Sequence, residues 1–206
     1  MLVAVLGLAA CGPEAVPASV GRTPAGVLSE ADALAVAKRI TLPVDALAPL
    51  GLTGAPEVDQ PVAVLIPGCG IEASHSELPQ AAHIRAWDTD KNVWAVGDYG
   101  AVSTGAVQTN VKAANLLQRV ESKARDCGVR DGLEMLDAGT GAVAYCVNGP
   151  NLRGDGESTE CVLYVAQDLP GYTLVAAFGY QHVEAARAKA GLLLMAPRVR
   201  DQLARA

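Results

Sequence analysis

Residues 161 to 178 read as two apolar strands, CVLYVAQ (161–167) and YTLVAAF (172–178), separated only by Asp168-Leu169-Pro170-Gly171. Pro presets the φ of a turn and Gly accepts the left-handed backbone that follows it. A connection this short joins antiparallel neighbours, because a parallel crossover needs a dozen or more residues. Two further strand segments precede it, 133–138 (LEMLDA) and 142–147 (AVAYCV). Upstream, 82–88 (AHIRAWD) alternates, with Ala82, Ile84 and Ala86 on one side and His83, Arg85 and Trp87 on the other. The segment 93–99 (VWAVGDY) follows after the polar Thr89-Asp90-Lys91-Asn92, so the two read as a hairpin. Val62 to Ile66 reads as a short strand closed by Pro67 and Gly68, and 43–61, with four Pro and two Gly, reads as an irregular connection.

Helical periodicity frames these strands. Ser29 is placed to cap a helix whose Leu34, Ala37 and Ile40 repeat at helical spacing up to Pro43. Val111, Ala114, Leu117, Val120 and Ala124 form one apolar stripe over 108–126. A last helix, about 182–204, carries Val183, Ala186, Ala190, Leu193, Val199 and Leu203, with Pro197 expected to kink or interrupt it. The fold class is therefore α+β: an antiparallel sheet packed against helices. In this reading, helices 108–126 and 182–204 cover one face of the sheet and leave the other face or the rim open to a ligand.

Composition sets the class. The chain has 206 residues, 50% of them hydrophobic and 18% charged, enough apolar surface for one globular core. Lys and Arg total 16 against 22 acidic residues, which leaves no positive excess to neutralise phosphates, so no nucleic-acid partner is expected.

The first ten residues, MLVAVLGLAA, are uninterruptedly apolar, about half of what a bilayer span requires. They end in Leu8-Ala9-Ala10-Cys11, which has the form of a bacterial lipobox, although only the terminal amine supplies positive charge ahead of it. Residues 1–10 are then a lipoprotein signal peptide, Cys11 the lipidation site, and 11–28, rich in Pro and Gly, a tether between the outer face of the cell membrane and a domain at 29–206. The membrane, reached through that lipid, is one expected partner. Of five Cys, removing Cys11 leaves Cys69, Cys127, Cys146 and Cys161, an even set in an oxidising compartment, with three pairings open to it. No C-x-x-C pair occurs, and His75, His83 and His182 stand at no zinc-ligand spacing from any Cys, so neither metal nor cofactor is expected. Between Cys146 and Cys161 the run NGPNLRGDGESTE reads as an exposed loop clipped at its base.

A lipobox, a Pro-rich tether, an early helix, Cys69 before a hairpin, a helix running into Cys127, Cys146 and Cys161 on strands and an Ala-rich terminal helix resemble the PknH-like extracellular sensor domain. That family occurs as the outer domain of actinobacterial receptor kinases and as free-standing lipoproteins. The resemblance covers roughly 29–206 and implies two disulfides, Cys69–Cys127 and Cys146–Cys161, and a cleft beside the sheet for an undefined ligand. It implies a sensor-like binding module rather than an enzyme.

Catalytic motifs are absent from the sequence: there is no G-x-x-x-x-G-K-[ST] and no G-x-S-x-G. The alternative reading, an exported hydrolase, needs Ser74 or Ser76 with His75 or His83 and Asp88. Trp87 and Trp94 fill core volume in one reading. In the other they flank a groove in which His83 and Arg85 supply stacking and anion contacts. With Tyr164, these four are the polar and aromatic residues on strands otherwise built of Ala and Val, and form the expected binding set for a small ligand from the envelope.

Overall fold

The computed structural model describes residues 28–62, 78–87, 100–150 and 156–206, the side chains of 127–131 and 150 apart. Seven strands, β1 (Val58–Val62), β2 (Ala81–Trp87), β3 (Ala101–Gln108), β4 (Leu133–Leu136), β5 (Ala142–Pro150), β6 (Glu157–Leu169) and β7 (Tyr172–His182), form one sheet. Three helices accompany them, α1 (Glu30–Ile40), α2 (Ala113–Asp131) and α3 (Ala185–Ala204). The strand order is β1-β2-β3-β7-β6-β5-β4, with every pairing antiparallel. Two meanders therefore start from opposite edges, and α2 carries the chain from β3 to the far edge. The second meander returns to the centre, where β7 pairs with β3.

The expected open face does not exist over the second meander. Helices α1 and α3 lie on one face and α2 lies on the other, against β4 to β7. The reason is visible in β7: Leu174, Ala176 and Phe178 enter the α1/α3 core while Val175 and Ala177 enter the α2 core. A strand apolar on both faces needs a cover on each.

Local chemistry sets the ends of the helices. The Ser29 hydroxyl accepts from the Asp32 amide and starts α1. The cap of α2 comes from elsewhere in the chain. Asp168, at the β6–β7 turn, accepts from the Ala113 amide at 3.0 Å and from the Thr173 hydroxyl at 2.6 Å, and both bonds hold its carboxyl below its usual value. Gly171 makes that turn possible at φ 91°. Helix α3 runs without a break through Pro197. The amide that Pro lacks would have met the carbonyl of Leu193, on the exposed side of the helix where solvent replaces it.

Four expectations need correction. The edge strand is Val58–Val62, so 58–61 of the stretch read as irregular are strand, since a Pro is tolerated where one side of a strand lacks a ladder partner, while of the strand read at 62–66 all but Val62 lies outside the described residues. The strand pairing with β2 on its inner side is Ala101–Gln108, while 93–99 lies outside the described residues. Helix α2 begins at Ala113, five residues later than read, because 101–108 is strand. The 148–160 loop is shorter than expected, since the β5–β6 ladder continues past the cysteines to Pro150↔Glu157.

Cys146 and Cys161 face each other directly in that ladder, form a disulfide 15 residues apart in sequence, and pack into the α1/α3 core. Closing a loop of this length restricts the unfolded chain by about 3 kcal/mol. Cys69, the side chain of Cys127, and Cys11 lie outside the described residues.

Candidate functional site

The residues singled out in the sequence divide between the two faces. His83, Arg85 and Trp87 alternate along β2 onto the α1 face, and Tyr164 points to the α2 face. All four are buried. Trp94, with Ser74, His75, Ser76 and Asp88, lies outside the described residues. The binding set therefore does not converge on one open pocket: strand alternation puts Tyr164 on the wrong side of the sheet, and α1 seals the other three.

What His83 and Arg85 do instead is join an edge strand and a helix to the sheet. Asp59 of β1 receives Arg85 Nε at 3.1 Å and stands 3.1 Å from His83 Nε2. Arg85 Nη1 donates to the Leu42 carbonyl at 2.7 Å, just past the end of α1, and the Leu42 amide donates to Ser103 Oγ on β3 at 3.0 Å. The chain leaving α1 is thus pinned by two strands. Ser103, the serine of this cluster, is spent on that amide and is 2% exposed.

Burial lowers the His83 pKa, Arg85 and Lys38 lower it further, and Asp59 alone opposes them. His83 is therefore neutral near pH 7, with Nε2–H on Asp59 and Nδ1 buried without a partner among the described residues. A folded-state pKa below the unfolded value of 6.5 means that the unfolded chain binds the proton first. Stability is expected to be full above pH 6.5 and to fall as the pH drops from there toward the folded value. Chemical denaturation of wild type and His83→Gln at pH 7.5 and 5.5 checks this, the variant showing the flatter profile.

The α2 face holds a second polar group that the sequence reading reached only through Tyr164. Tyr145 of β5 and Glu160 and Tyr164 of β6 lie on this face. On β7 the corresponding rows carry Ala177, Gly179 and Gln181, and beyond Ala177 stands Thr104 of β3. The Tyr145 and Thr104 hydroxyls are buried and have no hydrogen-bond partner among the described residues. Burial pushes the Tyr145 phenol up, with Tyr164 and Glu160 adding to it. Burial also pushes the Glu160 carboxyl up to about 7. Buried polar groups usually find partners, and each one left without costs roughly 1–3 kcal/mol.

A cleft of about 270 Å³ opens at the start of α3, lined by Gly132, Glu134, Cys146, Asn148, Thr159 and Lys189 among others. Its polar side chains are already matched: Lys189 pairs with Glu134, and the Thr159 hydroxyl donates to Asn148 Oδ1 at 2.6 Å. Among the described residues no group of three or more His, Cys, Asp and Glu is placed to hold a metal, and no helix is long and apolar enough to cross a membrane.

No protein-family model matches the chain, and no curated protein matches it. Among solved structures it is similar in part to the crystal structure of LpqN, described as involved in cell envelope biogenesis of Mycobacterium tuberculosis. That match has 14% identity and a TM-score of 0.30, and covers 59% of this chain and 61% of that one. What the fold itself defines is an α+β domain on a seven-stranded antiparallel sheet covered on both faces, with a cross-strand disulfide in its core.

Proposed function

We propose that this chain is an extracytoplasmic lipoprotein of the cell envelope whose domain binds a small ligand without transforming it. The compartment is supported by the Cys146–Cys161 disulfide, a bond that persists where the surroundings are oxidising. Anchoring at Cys11 is supported by Leu8-Ala9-Ala10-Cys11, and a Cys69–Cys127 bond by the even cysteine set. The observation that carries the binding reading is the Tyr145 hydroxyl, fully buried without a partner among the described residues and on the same face of the sheet as Glu160. A ligand that hydrogen-bonds there recovers what folding leaves unpaired.

Native mass spectrometry of protein isolated from its own membrane fraction tests both parts. Wild type is expected to carry a diacylglyceryl modification and a noncovalent adduct. Cys11→Ala should appear in the soluble fraction, and the double variant Tyr145→Phe, Glu160→Gln should lose the adduct. Wild type that is lipid-free and adduct-free refutes the proposal. Covalent capture of Ser74 or Ser76 by a fluorophosphonate refutes its non-catalytic part.

A further inference from the structure

We infer that the outward face of α3 docks on an anionic lipid surface, which fixes how the domain lies on its membrane; this rests on the Cys11 anchoring reading above. The apolar stripe expected on this helix splits in the structure. Val199 and Leu203 join Ala188, Leu192 and Met195 in the core, whereas Val183, Ala186, Ala190 and Leu193 are exposed. Ala186, Ala190, Leu193, Pro197 and Ala204 stand at i, i+4, i+7, i+11 and i+18, which lines them up on one side of a helix, and all are exposed. Leu193 and Leu194, 43% and 50% exposed, and Val183 are three of the four large hydrophobic residues exposed among the described ones. Arg198 donates to the Ala46 carbonyl at 3.2 Å and so keeps the loop of the fourth, Val44, against the same helix.

Cations border this apolar face on both sides. By the same helical spacing, Lys189 and Arg200 form one bordering row and Arg187, Arg198 and Arg205 the other, while Asp201 is the single acid from Ala185 to Arg205. Lys189 pairs with Glu134, and Arg187 with Glu184 at 3.0 Å. Arg198 and Arg200 donate to carbonyls, those of Ala46, Ala138 and Thr140, which leaves their charge intact. A second copy packed through this face would set cation rows against cation rows, with Asp201 alone to offset them. An anionic lipid surface attracts both rows, and the long Arg stems reach headgroups while Leu193 and Leu194 enter the acyl boundary. Proximity comes from the tether. A chain with the composition of 11–28 spans roughly 20–25 Å, which keeps this face at high local concentration beside the bilayer.

Leu194→Trp puts a fluorescent reporter on this face, and Gln118→Trp puts one on the exposed side of α2, across the sheet. The full chain, isolated from its membrane fraction, is reconstituted into vesicles of phosphatidylglycerol or phosphatidylcholine with brominated acyl chains, and emission is read above that of wild type. The emission added by Leu194→Trp is expected to fall about twofold or more in phosphatidylglycerol. Quenching should be about threefold weaker in phosphatidylcholine, or in about 1 M salt, where the screening length is about 3 Å. The emission added by Gln118→Trp should not change. Equal quenching at both positions or in both lipids, or none for Leu194→Trp, overturns the inference. A wild-type dimer in sedimentation that Leu193→Ser with Leu194→Ser converts to monomer assigns the face to a second copy and also overturns it. Quenching of Leu194→Trp in a protein whose mass shows no diacylglyceryl group refutes the anchor and upholds the docking face. A lipidated protein without that quenching refutes the docking face alone.

Discussion

Gly105→Ala is expected to destabilise the protein by about 4 kcal/mol or more, an effect far outside the ordinary range for adding one methyl group. Gly105 lies in the middle of β3, on the face that receives α1. A Cβ there would run into the Ala37 carbonyl oxygen, and would fall 2.5 Å from Ile40 Cγ1 and 2.9 Å from the Thr41 hydroxyl. The first of these obstacles is helix backbone, which cannot rotate away as a side chain does. The last turn of α1 must lift as a unit, and with it the apolar contacts of Val36, Ala37 and Ile40. Urea denaturation followed by circular dichroism measures the loss. A change below about 1 kcal/mol would mean that α1 rides on the sheet less closely than this geometry requires.

Arg85→Met is expected to cost about 1–3 kcal/mol, the penalty for leaving a buried carbonyl without its donor, since the Asp59 side chain is 37% exposed and keeps its solvent. Met keeps most of the volume, so the loss reports the guanidinium rather than a cavity. Its Nη1 donates to the Leu42 carbonyl and its Nε to Asp59, so one side chain ties the exit of α1 to the edge strand β1. Without it the Leu42 carbonyl is left buried and unpaired, and Asp59 keeps the neutral His83 as its protein partner. The same denaturation experiment applies, with hydrogen exchange expected to rise first in β1 and at the end of α1. A loss under about 1 kcal/mol would show that water already reaches the cluster.

Much of the architecture was legible in the chain. The three helices, the four strands of the second meander and the disulfide between Cys146 and Cys161 appear in the order that periodicity, turn residues and the family resemblance gave them, with α2 displaced by about five residues and β5 and β6 longer than read. The misses have physical causes. Strand β3 contains Ser103, Thr104 and Gly105, which break both hydrophobic periods, yet all eight of its residues are buried because β2 and β7 satisfy its backbone on both sides. Strand β1 includes Asp59 and Pro61 and is held by pairing with β2 and by the Asp59 contacts.

The candidate site was legible in chemistry but not in position. Tyr164 was selected as an aromatic on an aliphatic strand, and the same alternation, continued two steps back along β6, reaches Glu160. That step was hidden because the residues before Cys161 read as loop. His83 and Arg85 were selected on the same ground and turned out to brace α1, since a polar side chain facing a helix end pairs with its carbonyls as readily as with a ligand.

Sequence by itself determined the three helices, β2 and the antiparallel strands of the second meander, because hydrophobic period, Pro-Gly turns and caps act over a few residues. The tertiary structure alone decided which face each helix covers, that β3 meets β7 in the middle of the sheet, and that Tyr145, Glu160 and Tyr164 share one side of it. Those outcomes depend on register and on contacts between segments distant in the chain, and a one-residue shift of a strand would reverse every one of its side chains.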